Sequence, residues 1–186
     1  MHHHPVDEGV SPHCARLSQW AIGTYHDRMS FIAGAHAAVG PYGYSQEEII
    51  ESFTALVSPG GAHQQIIERI HIATGVKNRN LAIPLKDYAT LADFGAANDQ
   101  FIRVGLDLGA SAIAGALAAA NLEATDVDMI MSTSVTGIAA PSLEARLVPR
   151  LGLREDVKRM PIFGLGCVAG AAGIARLHDY LVGHPD

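Results

Sequence analysis

The chain has 186 residues, 48% of them hydrophobic and 17% charged, a balance that fits a single folded globular domain and excludes a disordered chain. Thirteen basic against nineteen acidic side chains give a net charge of −6, which argues against a generally basic surface for nucleic acid. The longest charge-free runs, residues 108–122, 129–143 and 160–175, each stop short of the roughly 20 apolar residues that span a bilayer, so no membrane association is expected.

In chain order, residues 1–30 carry His2, His3, His4, His13, Cys14 and His26 with little periodicity. Their spacings match no zinc pattern, so a flexible extension is the reading preferred to a metal site. No charged start leads into an apolar stretch with a small-residue cleavage site, so a cytoplasmic address is expected, with Cys14 and Cys167 as free thiols. FIAGAHAAV, residues 31–39, has the length and apolarity of a buried strand and meets the breakers Gly40, Pro41 and Gly43. Ser45 and Glu48 then form a capping box, and Ile49, Ile50, Phe53 and Leu56 give the helix behind it an apolar stripe until Pro59 and Gly60. A second helix is expected over residues 63–73, with Ile66, Ile67 and Ile70 on one face and Gly75 as its stop. His71 falls on or near that face, where a hydrogen-bonded, partly buried histidine is preferred to a ligand.

From residue 95 to 121 small and apolar residues recur at helical spacing, with Gly105, Gly109 and Gly115 permitting close neighbours, which predicts a long, largely buried helix. Residues 127–132, VDMIMS, predict a strand, 143–151 a short helix after Pro141, and 158–163 a further strand. A helix crowded with small residues closes the chain over residues 167–182. Strands alternating with helices predict an α/β fold with a mostly parallel sheet covered by helices.

The chemistry concentrates in Phe163-Gly164-Leu165-Gly166-Cys167-Val168-Ala169-Gly170-Ala171-Ala172-Gly173, a strand running through two glycines into a cysteine that opens a helix. Glycines there allow a sharp turn that presents Cys167 between the two elements, a nucleophile elbow. The unpaired N–H groups of a helix start attract negative charge, on the sulfur or on an oxyanion. Gly170, Ala171, Ala172 and Gly173 would let this helix sit deep between neighbours, in a dry site. The competing reading is a small buried packing cysteine, and the flanking glycines favour the nucleophile.

Residues 147–181, LVPRLGLREDVKRMPIFGLGCVAGAAGIARLHDYL, resemble the active-site segment of type III polyketide synthases, the chalcone and stilbene synthase-like family, most of all its bacterial branch. Gly137 and Pro141 fit the family's upstream loop, and Tyr44-Ser45-Gln46-Glu47-Glu48 and Thr74-Gly75-Val76-Lys77-Asn78-Arg79 its early segments. The resemblance covers roughly residues 31–186 and leaves residues 1–30 outside. It implies the N-terminal half of a thiolase-type α/β fold, commonly homodimeric, in which Cys167 takes an acyl starter from acyl-CoA and decarboxylated malonyl-CoA extends it. No metal or redox cofactor is implied. Lys77, Arg79 and Lys86 fall where the family carries basic residues near its CoA entrance, with a solvated loop as the plainer reading. Thr136 falls in the cavity-wall loop, where side-chain size helps select the starter, with a loop-capping hydroxyl as the alternative. Ala140 stands where plant members commonly place a methionine that reaches across the dimer, leaving room for a longer starter.

One departure is large. The family uses a histidine and an asparagine from the second half of its fold, and His178, eleven residues along a helix from Cys167, would lie roughly 16 Å away. His184 is placed no better, so the chain is expected to be the first half of such an enzyme and inactive alone. Two other readings stand beside this one: a ketoacyl synthase that takes its extender from acyl carrier protein, and a non-catalytic dimerising remnant with a structural cysteine.

Overall fold

The structure, a computed structural model, describes residues 30–184, so nearly all of the extension expected over residues 1–30 lies outside the described residues. The described residues divide into two compact units, Ala33–Ala169 and residues 30–32 with 170–184.

The larger unit begins with an antiparallel pair, β1 (Tyr42–Ser45) and β2 (Asn78–Leu81), in which Tyr42 faces Leu81 and Ser45 faces Asn78. Ser45 ends β1 in an extended conformation and caps α1 (Gln46–Val57). Its hydroxyl accepts the Glu48 N–H at 3.2 Å while the Glu48 carboxylate accepts the Ser45 N–H at 2.8 Å, the reciprocal box expected from sequence. Helix α2 (Gln64–Ala73) follows, and Gly75 beyond it takes the left-handed φ of +67° that favours glycine. Buried Gln46 ties these pieces together. Its N–H donates to the Lys77 carbonyl at 2.8 Å, its amide nitrogen donates to the His71 carbonyl at 3.1 Å, and its amide oxygen accepts from Arg79 at 2.9 Å. His71 is half-buried, with Nδ1 donating to the Ile67 carbonyl at 2.8 Å and its ring against Phe53, so it is a packed, hydrogen-bonded histidine.

The strand expected over residues 31–39 is absent. The segment instead lies against the long helix α3 (Phe94–Ala120) at Gly34 and His36: a Cβ on Gly34 would stand 2.5 Å from the Ala116 carbonyl oxygen. Conversely, a Cβ on Gly115 would meet the His36 ring. The small residues that gave this segment its strand-like apolarity let its backbone lie on a helix rather than in a ladder.

Helix α3 starts at Asp93, whose carboxylate accepts the Ala96 N–H at 2.8 Å, and ends at Asn121 with φ of 56°. Only Val104 of this helix is fully buried; Asp99, Arg103, Asp107, Ser111, Ala114 and Ala118 form one exposed stripe and most other positions are half-buried, so the helix is less buried than expected. By length and composition α3 would suit a membrane span, yet Leu106, Ala110 and Ile113 pack on the core and Asp107 pairs with Arg150 at 2.6 Å. That core is Ile130, Leu147, Leu153 and Val157. It lies between α3, the parallel pair β3 (Met129–Ser134) and β4 (Lys158–Phe163), and the crossover helix α4 (Leu143–Leu151). Among the described residues the mostly parallel sheet expected from the alternation is therefore two sheets of two strands, one antiparallel and one parallel. The alternation counted an apolar strand that is not one, while YGYS and NRNL, which do pair, carry no hydrophobic run to announce them.

Arg154 fastens the loop before β4. Its guanidinium donates to Asp128 at 2.6 Å, to the Thr125 carbonyl at 2.9 Å and to Asp156 at 3.0 Å, and that last bond holds the Asp156 carboxyl below its ordinary value. The smaller unit contains most of the closing helix α5 (Ala169–Gly183), where His178 Nδ1 and the Ser30 hydroxyl are 2.8 Å apart and the His184 ring stacks on Tyr180.

Ser45→Ala should cost about 1 kcal/mol of stability, read as a lower urea midpoint at unchanged slope. A midpoint equal to the parent's would mean the box contributes nothing. The Asp156 bond is complete above the ordinary aspartate value of about 3.9 and is lost as pH falls through the lower folded value. Asp156→Asn should therefore flatten the acid limb of the stability curve and leave the neutral region less affected.

Candidate active site

Strands β3 and β4 run parallel from Met129 opposite Lys158 to Ser134 opposite Phe163, so both end at the same edge of the sheet. In α/β sheets ligands collect beyond these carboxyl ends. Past β4 the chain turns through Gly164 at φ +87° and Gly166 at φ +63°, both in the left-handed region that a side chain disfavours. No other group stands within 4 Å of where either glycine's Cβ would lie, so backbone conformation rather than crowding calls for glycine. The Gly164 N–H donates to the Ser134 carbonyl at 3.1 Å, anchoring the turn to the end of β3. Cys167 is the middle residue of the single 3₁₀ turn Gly166–Val168, closed by the Ala169 N–H on the Gly166 carbonyl, and the chain then enters α5. This is the elbow read from the sequence.

Its surroundings differ from the dry, buried site expected. Cys167 is exposed, and Phe163, Leu165 and Val168 around it are also exposed. In the first turns of α5 only Ala169 and Gly173 are buried. Small side chains permit close packing, but burial needs a partner surface, and glycine and alanine do not specify one.

The second feature at this edge is the loop of residues 135–142, which leaves the end of β3. Thr136 and Ala140 are exposed on it, and Gly137 is buried against the Phe101 ring, so closely that a Cβ on Gly137 would overlap the ring. The Ser134 hydroxyl donates to the Gly137 carbonyl at 2.8 Å and accepts its N–H at 3.2 Å. The Asn98 side chain takes both backbone groups of Ile138, donating to its carbonyl and accepting its N–H, each at 2.8 Å. The Ala140–Pro141 peptide is cis, and Arg146 donates to the Pro141 carbonyl at 2.8 Å. Just beyond, Glu144 is fully buried, with one carboxyl oxygen accepting the Ser132 hydroxyl at 2.5 Å and the other unpartnered among the described residues. Asn98, Ser132, Ser134 and Glu144 escaped the sequence reading, because nothing local distinguishes a helix-surface asparagine or a first-turn glutamate from one that closes a contact 40 or 12 residues away.

The basic candidates stand apart from the cysteine in the chain's architecture. Arg79 lies in β2 and is half-buried, its guanidinium oriented by Gln46; Lys77 precedes it and is exposed, as is Lys86 in the 3₁₀ segment Leu85–Thr90. They belong with the β1–β2 sheet, whereas Cys167 and Thr136 extend from the β3–β4 sheet. Among the described residues no cluster of three or more histidine, cysteine or carboxylate side chains has metal-binding geometry. The cysteine and histidines of residues 1–29 lie outside the described residues.

The profile of the FAE1/type III polyketide synthase-like protein family matches residues 98–186, which run from α3 through the elbow. A 1,3,6,8-tetrahydroxynaphthalene synthase of Streptomyces peucetius subsp. caesius is 51% identical over 181 residues, covering 97% of this chain and 47% of that protein. A phloroglucinol synthase of Pseudomonas fluorescens is 29% identical over 152 residues, covering 82% of this chain and 43% of that protein. The crystal structure of 1,3,6,8-tetrahydroxynaphthalene synthase from Streptomyces coelicolor superposes with a TM-score of 0.74 at 30% identity, over 81% of this chain and 43% of that one. The chain thus spans somewhat under half the length of these relatives.

With Cys167 exposed on a glycine-flanked turn, limiting iodoacetamide should label it ahead of Cys14 in the folded chain, as read by peptide mass mapping. Labelling concentrated at Cys14 would remove Cys167 as the reactive thiol.

Proposed function

The chain belongs to the type III polyketide synthase-like family, and on that premise we propose that it supplies the nucleophile and one cavity wall of an acyltransferase that builds polyketides from CoA thioesters. The observation that carries the proposal is the placing of Cys167, exposed on a left-handed glycine turn at the carboxyl ends of two parallel strands. A thiolate there attacks the carbonyl of an acyl-CoA starter, the CoA thiol leaves, and the acyl group remains on sulfur as a thioester. Malonyl-CoA then loses carbon dioxide, and the electron pair left behind forms a CoA-bound enolate. Its carbon attacks the Cys167-bound carbonyl, expelling the thiolate and returning a chain two carbons longer on CoA. Sulfur suits both steps, since it is nucleophilic near neutral pH and also leaves readily.

Developing negative charge is favoured where the chain enters α5, because the first N–H groups of a helix lack partners within it. The histidine and asparagine that the family adds to this chemistry have no counterparts in the described elbow or loop, so activity belongs to an assembly that provides them. Thr136 and Ala140 border the acyl chain, their size setting the space available for the starter. Lys77 and Arg79 meet CoA phosphates, with Gln46 orienting the planar guanidinium of Arg79 for bidentate contact. A homodimer in a reducing, cytoplasmic setting completes the proposal, and it keeps Cys167 in its thiol form.

Joined to the residues that complete the Streptomyces peucetius relative, the chain should gain the mass of one acyl group on Cys167 from acyl-CoA and form polyketide from labelled malonyl-CoA. Cys167→Ala should lower product by about 10³-fold or more without unfolding the protein, as a small side chain leaves little cavity. Full product from Cys167→Ala would refute the nucleophile. Extension that runs only from malonyl-loaded acyl carrier protein would replace this reading with the ketoacyl synthase.

A further inference from the structure

The loop of residues 135–141 is held at three places. At its start Ser134 bonds both backbone groups of Gly137 through one hydroxyl, and the Phe101 ring packs on Gly137. At its centre Asn98 bonds both backbone groups of Ile138. At its end Arg146 donates to the Pro141 carbonyl, and just beyond it buried Glu144 accepts from Ser132 of β3. The loop's own Val135 and Ile138 side chains contribute little burial, each being more than half exposed. An exposed loop of this length would ordinarily be mobile. Here polar clamps from α3, β3 and α4 tie it to the elements around it.

The central clamp is the most specific. A primary amide presents a donor and an acceptor side by side on separate atoms, and it meets the N–H and C=O of one residue as a neighbouring strand would. Both bonds are 2.8 Å, and they join residues 40 apart in sequence. Ile138 lies midway between the exposed Thr136 and Ala140, so freedom at Ile138 becomes freedom at both.

Taking Cys167 as the acyl acceptor proposed above, we propose that Asn98 is a positioning residue that fixes the wall formed by Thr136 and Ala140 and thereby sets the length of acyl chain that Cys167 receives. Asn98 acts through the Ile138 backbone and has no role at the reacting carbon. Its loss should therefore change which chain lengths are accepted rather than abolish reactivity at sulfur.

The test uses the 186-residue chain and N-methyl- and N-octylmaleimide, which react with a thiol without any acyl-transfer machinery, with Cys14 as the internal reference. In Asn98→Ala the octyl-to-methyl labelling ratio at Cys167 should change by about threefold or more, with the ratio at Cys14 constant, because a displaced wall alters access by length. Hydrogen exchange at the Ile138 amide should quicken by about tenfold or more in the same variant. Asn98→Asp keeps the acceptor for that amide but loses the donor to the carbonyl, so its ratio should fall between those of the parent and Asn98→Ala, and it decides the question should Asn98→Ala fail to fold. An unchanged ratio, or an equal change for both reagents, overturns the proposal. Since alkylation needs no acyl transfer, a failed acyl loading of Cys167 with a shifted ratio refutes the functional reading alone, and normal loading with an unshifted ratio refutes Asn98 alone.

Discussion

The parallel pairing of β3 with β4 is the constraint on which the region around Cys167 depends. Antiparallel neighbours can be joined by a short turn, but parallel ones need a crossover, and here α4 supplies it. Parallel order brings the carboxyl ends of both strands to one edge, so the loop after Ser134 and the elbow after Phe163 leave the sheet side by side. The bond from Gly164 to Ser134 extends the ladder by one step into the turn itself. A slip of one residue in this register would move the elbow by about 3.3 Å and reverse which face each side chain meets. The apolar contacts of Ile130 with Leu147 and Val157 oppose such a slip, so the core and the site are held by the same register.

One face of β3 makes the change from core to site. Ile130, Ser132 and Ser134 alternate onto the same side, and they run from the hydrophobic cluster, through the carboxyl of Glu144, to the backbone of the loop. Burying an apolar side chain stabilises without direction, whereas a hydrogen bond constrains where its partner stands. The strand is therefore apolar where the fold must be stable and polar where a loop must be placed. Glu144 is the extreme case, a fully buried carboxyl with one oxygen bonded to Ser132 and the other left over. Burial of such a group costs stability unless its partners are in place, which makes it a device for specifying geometry rather than for adding strength.

Membership of the type III polyketide synthase-like family and this local architecture agree on the importance of the elbow, but they speak to different scales. The family match accounts for the wording of residues 98–186 as a block. The structure separates that block into parts with different physical roles: glycines that permit the turn, serines and Asn98 that hold the loop, and Arg154, whose bonds to Asp128 and Asp156 steady the approach to β4. The exposure of Phe163, Leu165 and Val168 beside the cysteine marks this edge as a surface suited to apolar company.

What the sequence determined by itself was every feature governed by near neighbours. The capping box at Ser45 and Glu48, the helices over residues 46–57, 64–73, 94–120 and 143–151, the strand at 158–163 and the turn before Cys167 all follow from spacings of a few residues, where propensity, capping and glycine conformation act. The irregular course of residues 33–40, the pairing of YGYS with NRNL, the exposed stripe of α3 and the exposure of Cys167 were decided by tertiary structure. So were the contacts of Gln46, Asn98 and Glu144, which join residues far apart in the chain. An apolar or polar side chain states what kind of partner it needs, but not which one, and the partner is chosen only when distant segments are brought together under one register and one close packing.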